Sequence, residues 1–306
     1  MSAKHFRSPN ALTPGARVAL IAPAGPLVKD DELPRAIDNA RSFGWDPAVG
    51  QNAQRRLGYL AGDDRARLDD INHALQDPAI DALWCLRGGY GMIRILDGID
   101  YHAIESNPKP IIGYSDVTAL HAAVQRKCWL ISYHGPTARE PMGEFSRDSF
   151  ERAVVRQTDS CGAAAKARAI SDGKAEGRLA GGNLAVLASL CGTPYAPDLS
   201  DCILILEDIN EPVYRIDRML QQLKLSGMLR GCKAVAFGEC VKCPDDAGGG
   251  ARSLDEVLGE IVRELNVPCV TGIPVGHIAE QWTIPLGAMA TLDADSCTLS
   301  VAPYTG

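Results

Sequence analysis

The chain has 306 residues, of which 46% are hydrophobic and 23% charged, and it carries a formal net charge of -7. This is the composition of a soluble globular protein with a sizeable core, long enough for two domains, and it excludes general disorder. An acidic balance with no offsetting basic cluster argues against nucleic acid as a partner, and no apolar run approaches the ~18 residues needed to cross a bilayer, so a small molecule is the expected partner.

The first eleven residues are polar and lead into an apolar strand without a small-residue cleavage pattern. They do not resemble a secretory signal, and the expected location is the cytoplasm. Arg17-Val-Ala-Leu-Ile-Ala-Pro23 reads as a strand ending in a turn, Leu33 to Phe43 as a helix, and Leu68, Ile71 and Leu75 as one face of another helix. Ile80 to Leu86 is the next strand and empties into Arg87-Gly-Gly-Tyr-Gly91; a strand around Pro110 follows, then a helix after Ser115, then the run Trp129 to His134. Strands separated by helices imply a mostly parallel sheet covered on both faces, with any ligand beyond the carboxyl ends of the strands. Residues 1–136 are therefore expected to form an N-terminal α/β domain, and residues 137–173, rich in charge, Ala and Ser with weak periodicity, a connector with room for a peripheral helix. Residues 174–306 are expected to form a second domain. It opens with Gly177-Arg-Leu-Ala-Gly-Gly-Asn183, continues through the strand Cys202 to Glu207, the helix Val213 to Leu225 and the strand Lys233 to Phe237, and includes a helix begun by the capping box Ser253-Leu-Asp-Glu256. Met289 to Leu292 and Cys297 to Val301 are expected as an antiparallel finish.

The ten cysteines are scattered, and several, such as Cys85, Cys202 and Cys232, sit in apolar segments, which suits reduced thiols rather than disulfides. Cys240-Val-Lys-Cys243 is a lone C-x-x-C without the second pair that a structural zinc site needs, so no metal is expected. Arg87-Gly-Gly-Tyr-Gly91 lacks the spacing of a phosphate-binding loop or a dinucleotide fingerprint, and no cofactor is expected either.

The most informative stretch is Pro108 to Val124, a short apolar strand, a turn at Gly113-Tyr-Ser-Asp116 and an apolar-faced helix. That order places Ser115 at a helix N-terminus above a sheet edge, where acyl-transfer enzymes mount a nucleophile. Ser115 as a plain helix cap is the simpler reading of the same residues. A serine nucleophile needs a base, usually a histidine held by a carboxylate. Of the six histidines, His5 is near the terminus, His73 and His102 sit on exposed-looking segments, and His121 is too far along its helix to fold back on Ser115. His134, in Tyr133-His-Gly-Pro136, and His277, in Gly272-Ile-Pro-Val-Gly-His277, both lie in positions suited to a catalytic group, and the residues alone leave that choice open. The carboxylate is better marked: the apolar run Ile203 to Leu206 ends in Glu207, which must be paired to be buried there. An imidazole partner would satisfy it, as would a structural ion pair with Arg215. The glycines after Arg87 allow close backbone approach, so the N–H groups of Gly88 or Gly89 with that of Asp116 are candidates for an oxyanion hole.

Together, Ile21-Ala-Pro-Ala-Gly25, Trp84 to Gly91, Ile112-Gly-Tyr-Ser-Asp116, His134-Gly-Pro136, Gly181-Gly-Asn-Leu184, Leu206 to Pro212 with Tyr214-Arg215, and Pro274-Val-Gly-His277 resemble one family across nearly the whole chain. It is the LD-carboxypeptidase family, serine peptidase family S66, also called muramoyltetrapeptide carboxypeptidases. The resemblance implies an N-terminal domain like that of class I glutamine amidotransferases, a smaller β-rich C-terminal domain and a homodimer. It also implies a Ser-Glu-His triad matching Ser115, Glu207 and His277, which decides against His134. Val117 stands where a general hydrolase elbow has its final Gly, in keeping with this family.

The implied reaction is release of the C-terminal D-alanine from murein tetrapeptides in cytoplasmic peptidoglycan recycling, with a small peptide as substrate and no metal. An exopeptidase must recognise a free terminal carboxylate, for which Arg87 is the candidate; Glu211 and Asn183 are candidates for the substrate's amino groups. Two other readings stand beside this one. The self-immunity branch of the family cleaves peptidyl or aminoacyl nucleotide conjugates such as processed microcin C, and its longer aromatic loop before the histidine has no counterpart in the compact segment from Glu211 to His277. A non-catalytic muropeptide-binding protein is the other.

Overall fold

The computed structural model describes residues 6–244 and 252–304. Its first sheet is built from β1 (Arg17–Ile21), β2 (Asp46–Val49), β3 (Ala82–Cys85), β4 (Ile111–Gly113) and β5 (Ser132–His134). These five are parallel in the order β5-β4-β3-β1-β2. The second sheet takes β6 (Gly162–Ala163), β7 (Arg168–Ser171), β8 (Lys174–Asn183), β9 (Cys202–Ile209), β10 (Ala234–Val241) and β11 (Cys269–Thr271). Its centre, β8-β9-β10-β11, is parallel. After β12 (Ile284–Leu286), the hairpin of β13 (Met289–Asp293) and β14 (Thr298–Val301) adds antiparallel strands beside β8. The mixed α/β architecture with two sheets agrees with the fold class read from the sequence.

Parallel strands buried on both faces read as continuous apolar runs, and β3 and the first seven residues of β9 are buried throughout. The connecting helices start where side chains satisfy their free N–H groups. Asp63 accepts from Ala66 N at 2.8 Å at the head of helix Asp64–Gln76, and Ser253 with Glu256 forms the expected capping box on helix Leu254–Leu265. An aromatic cluster of Phe43, Trp45, Trp84 and Phe150 ties the segment after β5 to the first sheet. Each such ring contributes about 1.5–3 kcal/mol by burial.

Three elements differ from the sequence expectation. The segment 137–173 holds helix Glu144–Phe150 with a wider helical turn at Glu151–Arg156, in keeping with a connector that carries a peripheral helix, but it also supplies β6 and β7 to opposite edges of the second sheet, which the sequence does not predict. Those strands are too short for a two-residue alternation to show. β12 lies in the C-terminal half of the chain yet pairs antiparallel with β5, Ile284 opposite His134, so it completes the first sheet. Strand β9 runs past Glu207 to Ile209, because Asp208 is satisfied in place: its carboxylate accepts from Asn183 Nδ2, Ala185 N and Ile209 N.

The two sheets meet at helix Thr118–Cys128. Gly182 on β8 sits so close to it that a Cβ there would stand 2.6 Å from Thr118 Oγ1, and that hydroxyl accepts from Asn183 N at 3.0 Å. Asn183 pairs in register with Glu207. The glycine therefore lets the helix that follows Ser115 dock directly onto the strand beside Glu207.

Candidate active site

Ser115 follows β4 at the start of a single 3-10 turn, Ser115–Val117, that leads into helix Thr118–Cys128. Its φ of 64° lies in the left-handed region, costing about 1–3 kcal/mol for a residue with a Cβ, and the surroundings hold it there. A Cβ on Gly88 would meet Ser115 Cβ at 2.7 Å, so the loop after β3 passes directly against the serine. The buried Asp116 carboxylate accepts from Met92 N at 2.7 Å and fastens the nucleophile turn to the far end of that loop. Burial pushes the Asp116 carboxyl up to about 6, against the Met92 hydrogen bond and the charge of Arg67. Arg67, itself buried, donates to Pro23 O and Gly91 O and so links the loops that follow β1 and β3.

Glu207 and His277 arrive from the second sheet. Glu207 is buried on β9, and Gly276 before the histidine has a φ of 121° with room only for hydrogen: a Cβ would stand 3.0 Å from Glu207 Oε2. His277 Nδ1 lies 2.8 Å from Glu207 Oε2 and its Nε2 lies 3.1 Å from Ser115 Oγ. A carboxylate only accepts, so Nδ1 carries the proton and Nε2 is free to accept from the serine hydroxyl. Burial of the imidazole works against its charged form, but the hydrogen bond and charge of Glu207, followed by the charges of Glu140 and Asp208, outweigh it and hold His277 above its ordinary value.

The other histidine weighed from the sequence is elsewhere. His134 is buried with neither ring nitrogen bonded among the described residues, and burial, with His121 and His277 nearby, drives its pKa down to about 3. His121 is spent on Ser132 Oγ and Gly113 O, each at 2.8 Å. His5 lies outside the described residues. Arg215 pairs with Glu211 at 3.5 Å and leaves Glu207 to the imidazole.

The N–H groups of Gly88 and Gly89 donate to no backbone acceptor among the described residues, while Gly88 O accepts from Gly25 N at 2.9 Å and fixes the loop. Arg87 donates one bond to Pro26 O at 2.6 Å and makes no ion pair among the described residues; burial and then the charge of Arg139 lower its pKa. Asn183 is engaged at both ends of its amide. Its Oδ1 accepts from Val186 N as a helix cap and its Nδ2 donates to Asp208, so the expected contact with a substrate amine competes with two internal bonds.

Two residues of this neighbourhood were not singled out from the sequence. The ring of Tyr114 packs on His277 with centroids 4.9 Å apart, and its hydroxyl donates to Glu140 Oε1 at 2.8 Å. Glu140 follows His134-Gly-Pro136 in a segment without periodicity; its closeness to that motif is the only signal. A separate hollow of about 690 Å³ lies between β2 and helix Asp64–Gln76, lined by Asn52, Asp70 and His73 among others, and includes none of Ser115, Glu207 and His277.

A hydroxyl, an imidazole and a carboxylate in one hydrogen-bonded line can move the serine proton to nitrogen and leave a nucleophilic oxygen. Family models for the LD-carboxypeptidase N-terminal and C-terminal domains match residues 18–135 and 176–292. The murein tetrapeptide carboxypeptidase of Pseudomonas aeruginosa is 35% identical over 91% of this chain and 94% of its own. Among solved structures, a muramoyltetrapeptide carboxypeptidase from Oxalobacter formigenes superposes with a TM-score of 0.83 at 31% identity, covering 95% of this chain and 100% of that one. The microcin C7 self-immunity protein MccF in its apo state gives a TM-score of 0.88 at 24% identity, with 99% and 100% covered, a likeness of fold.

Proposed function

The chain belongs to the LD-carboxypeptidase family, peptidase family S66, and from that membership we propose that it is a serine carboxypeptidase releasing the C-terminal D-alanine of murein tetrapeptides. The observation that carries the reading is the unbroken line Ser115 Oγ, His277 Nε2, His277 Nδ1, Glu207 Oε2, assembled from two sheets at 3.1 and 2.8 Å. His277 takes the Ser115 proton as Oγ attacks the carbonyl of the third residue, and Glu207 keeps the proton on Nδ1 and stabilises the imidazolium. The N–H groups of Gly88, Gly89 and Asp116 face the developing oxyanion. The imidazolium returns its proton to the leaving amine, D-alanine departs, and water activated by the same histidine hydrolyses the acyl-enzyme.

Arg87, a guanidinium without a carboxylate partner of its own among the described residues, receives the terminal carboxylate of the substrate. Glu211 meets an amino group of the peptide, and Asn183 holds Asp208 and the end of β9 in place for it. The setting we propose is peptidoglycan recycling in the cytoplasm by a homodimer. Among the described residues no helix is long and apolar enough to cross a membrane.

The test is mass spectrometry of L-Ala-γ-D-Glu-meso-diaminopimelyl-D-Ala incubated with the protein and with Ser115→Ala. Loss of one alanine with the parent protein and a fall of about 10⁴-fold or more in the variant is the expected result. An intact peptide with turnover of an aminoacyl-sulfamoyl-adenosine instead would assign the self-immunity chemistry, and no turnover of either would leave a muropeptide-binding role.

A further inference from the structure

His277 rides on a loop, Pro274 to Trp282, that leads from β11 in the second sheet to β12 in the first. Trp282 N donates to Pro274 O at 2.7 Å and closes the loop at its neck. Its first leg is laid on β10, where Glu239 N donates to Val275 O at 3.0 Å. Its second leg, residues 281–283, belongs to no strand and is held instead by helix Glu144–Phe150 of the segment 137–173.

Two serines of that helix make the contact. Ser146 and Ser149, three residues apart and so on one face, are both buried, while Asp148 between them is exposed. Gln281 N donates to Ser146 Oγ and Thr283 N to Ser149 Oγ, each at 2.9 Å. The hydroxyls pass their own protons on, Ser146 Oγ to Ala279 O at 3.4 Å and Ser149 Oγ to Ser160 O at 2.6 Å. Ser160 Oγ donates in turn to Thr283 O at 2.7 Å, so the N–H and the C=O of Thr283 are both engaged. Across from the helix, a Cβ on Gly135 would stand 2.7 Å from Thr283 Oγ1, which leaves this leg no slack toward β5. Serine is a poorer helix former than alanine, so helix formation does not account for these two hydroxyls. What they supply is acceptors for buried N–H groups that no ladder satisfies.

We infer that Ser146 and Ser149 are positioning residues for the base: by fixing the backbone from Ala279 to Thr283 they hold His277 between Glu207 and Ser115. Neither serine bonds to any of those three residues, so the effect is carried by the loop alone. A displacement of about 1 Å at a reacting group costs up to about 100-fold in rate, and slack at the neck, four residues from the histidine, reaches its ring. The effect on turnover rests on the proposed peptidase reading. The contact at stake, His277 Nδ1 to Glu207 Oε2 at 2.8 Å, exists without substrate and is read separately.

The experiment compares the full-length protein with the double variant Ser146→Ala/Ser149→Ala, its fold checked by circular dichroism. In the variant the Nδ1 proton resonance of His277, held downfield in the parent by the bond to Glu207, should broaden or move upfield. Hydrogen exchange at the amides of Gln281 and Thr283 should be at least about tenfold faster. With L-Ala-γ-D-Glu-meso-diaminopimelyl-D-Ala as substrate, kcat should fall about tenfold or more while KM stays within about twofold, as for a misplaced base rather than a lost binding contact. If the double variant does not fold, each single variant is read in the same way, since each leaves one amide without its acceptor. A folded variant with faster exchange but an unmoved His277 resonance and the parent kcat would overturn the proposal and leave the serines fastening the helix alone. If the parent itself releases no alanine, the peptidase reading fails, and the resonance still decides the role of the two serines.

Discussion

Tyr114 ties the histidine of the site to a carboxyl group that the histidine does not touch: its ring lies on His277 and its hydroxyl donates to Glu140. The residue before the nucleophile therefore fixes the plane of the base. Burial of the Glu140 carboxyl raises its pKa, against the Tyr114 hydrogen bond and the charge of Arg139. When ionised, its charge favours the imidazolium of His277. Removing that charge in Glu140→Gln lowers the pKa of His277, so the unprotonated base survives to lower pH. The acid limb of the kcat/KM profile should move to lower pH, and the His277 ring protons followed by NMR should titrate in the same direction. A profile that does not move would show that Glu140 acts on packing alone. Tyr114→Phe keeps the ring but frees it from Glu140, and kcat should fall about tenfold with the limb nearly in place, as expected for a loss of orientation.

The strain at Ser115 gives a prediction about stability. A non-glycine residue at φ 64° costs about 1–3 kcal/mol, and alanine there carries the same Cβ as serine. Glycine is free of that cost but loses more chain entropy on folding, about 0.5–1 kcal/mol. Ser115→Gly should therefore be more stable than Ser115→Ala by about 1 kcal/mol in denaturant unfolding, with both inactive. Equal stabilities would mean that the turn relaxes in the variants and that the serine is not held under strain.

Ser115, Glu207 and His277 are marked as candidates because each sits at a break in pattern, although for the histidine only the family resemblance separates His277 from His134. Ser115 follows a strand and opens a helix, Glu207 interrupts an apolar run, and His277 stands in a Gly- and Pro-rich loop. What separates His277 from His134 is not local. Both follow strands or turns of similar composition. Only the pairing of β10 with β9, together with the Glu239 N to Val275 O bond that lays the loop before His277 along β10, brings Glu207 beside His277, whereas His134 is held on β5 in the first sheet. The crossing of β12 into the first sheet was hidden for a related reason, since three residues specify an extended conformation but not the partner. Asp208 shows the opposite case: strand alternation turns it to the face away from Glu207, and three hydrogen bonds hold it there, which is why the strand extends beyond the expected end.

Asp116 makes the fold sensitive to pH in a defined window. Burial raises its carboxyl from 3.8 to about 6 in the folded protein, so between those values the folded state holds a proton that the unfolded state has lost. Stability then falls as pH rises through that window, because proton binding favours the fold; a shift of this size corresponds to about 3 kcal/mol at most. Above the folded pKa the cost is fully present. Asp116→Asn retains an oxygen to accept from Met92 N and has no proton to lose, so it should remove this contribution. Denaturant unfolding of the two proteins at intervals between pH 4 and pH 7 should give a difference in stability that grows in favour of the variant as pH rises and levels off above about pH 6. A constant difference across that range would place the Asp116 titration near its ordinary value and assign the carboxylate a purely structural hydrogen bond to the loop beside Ser115.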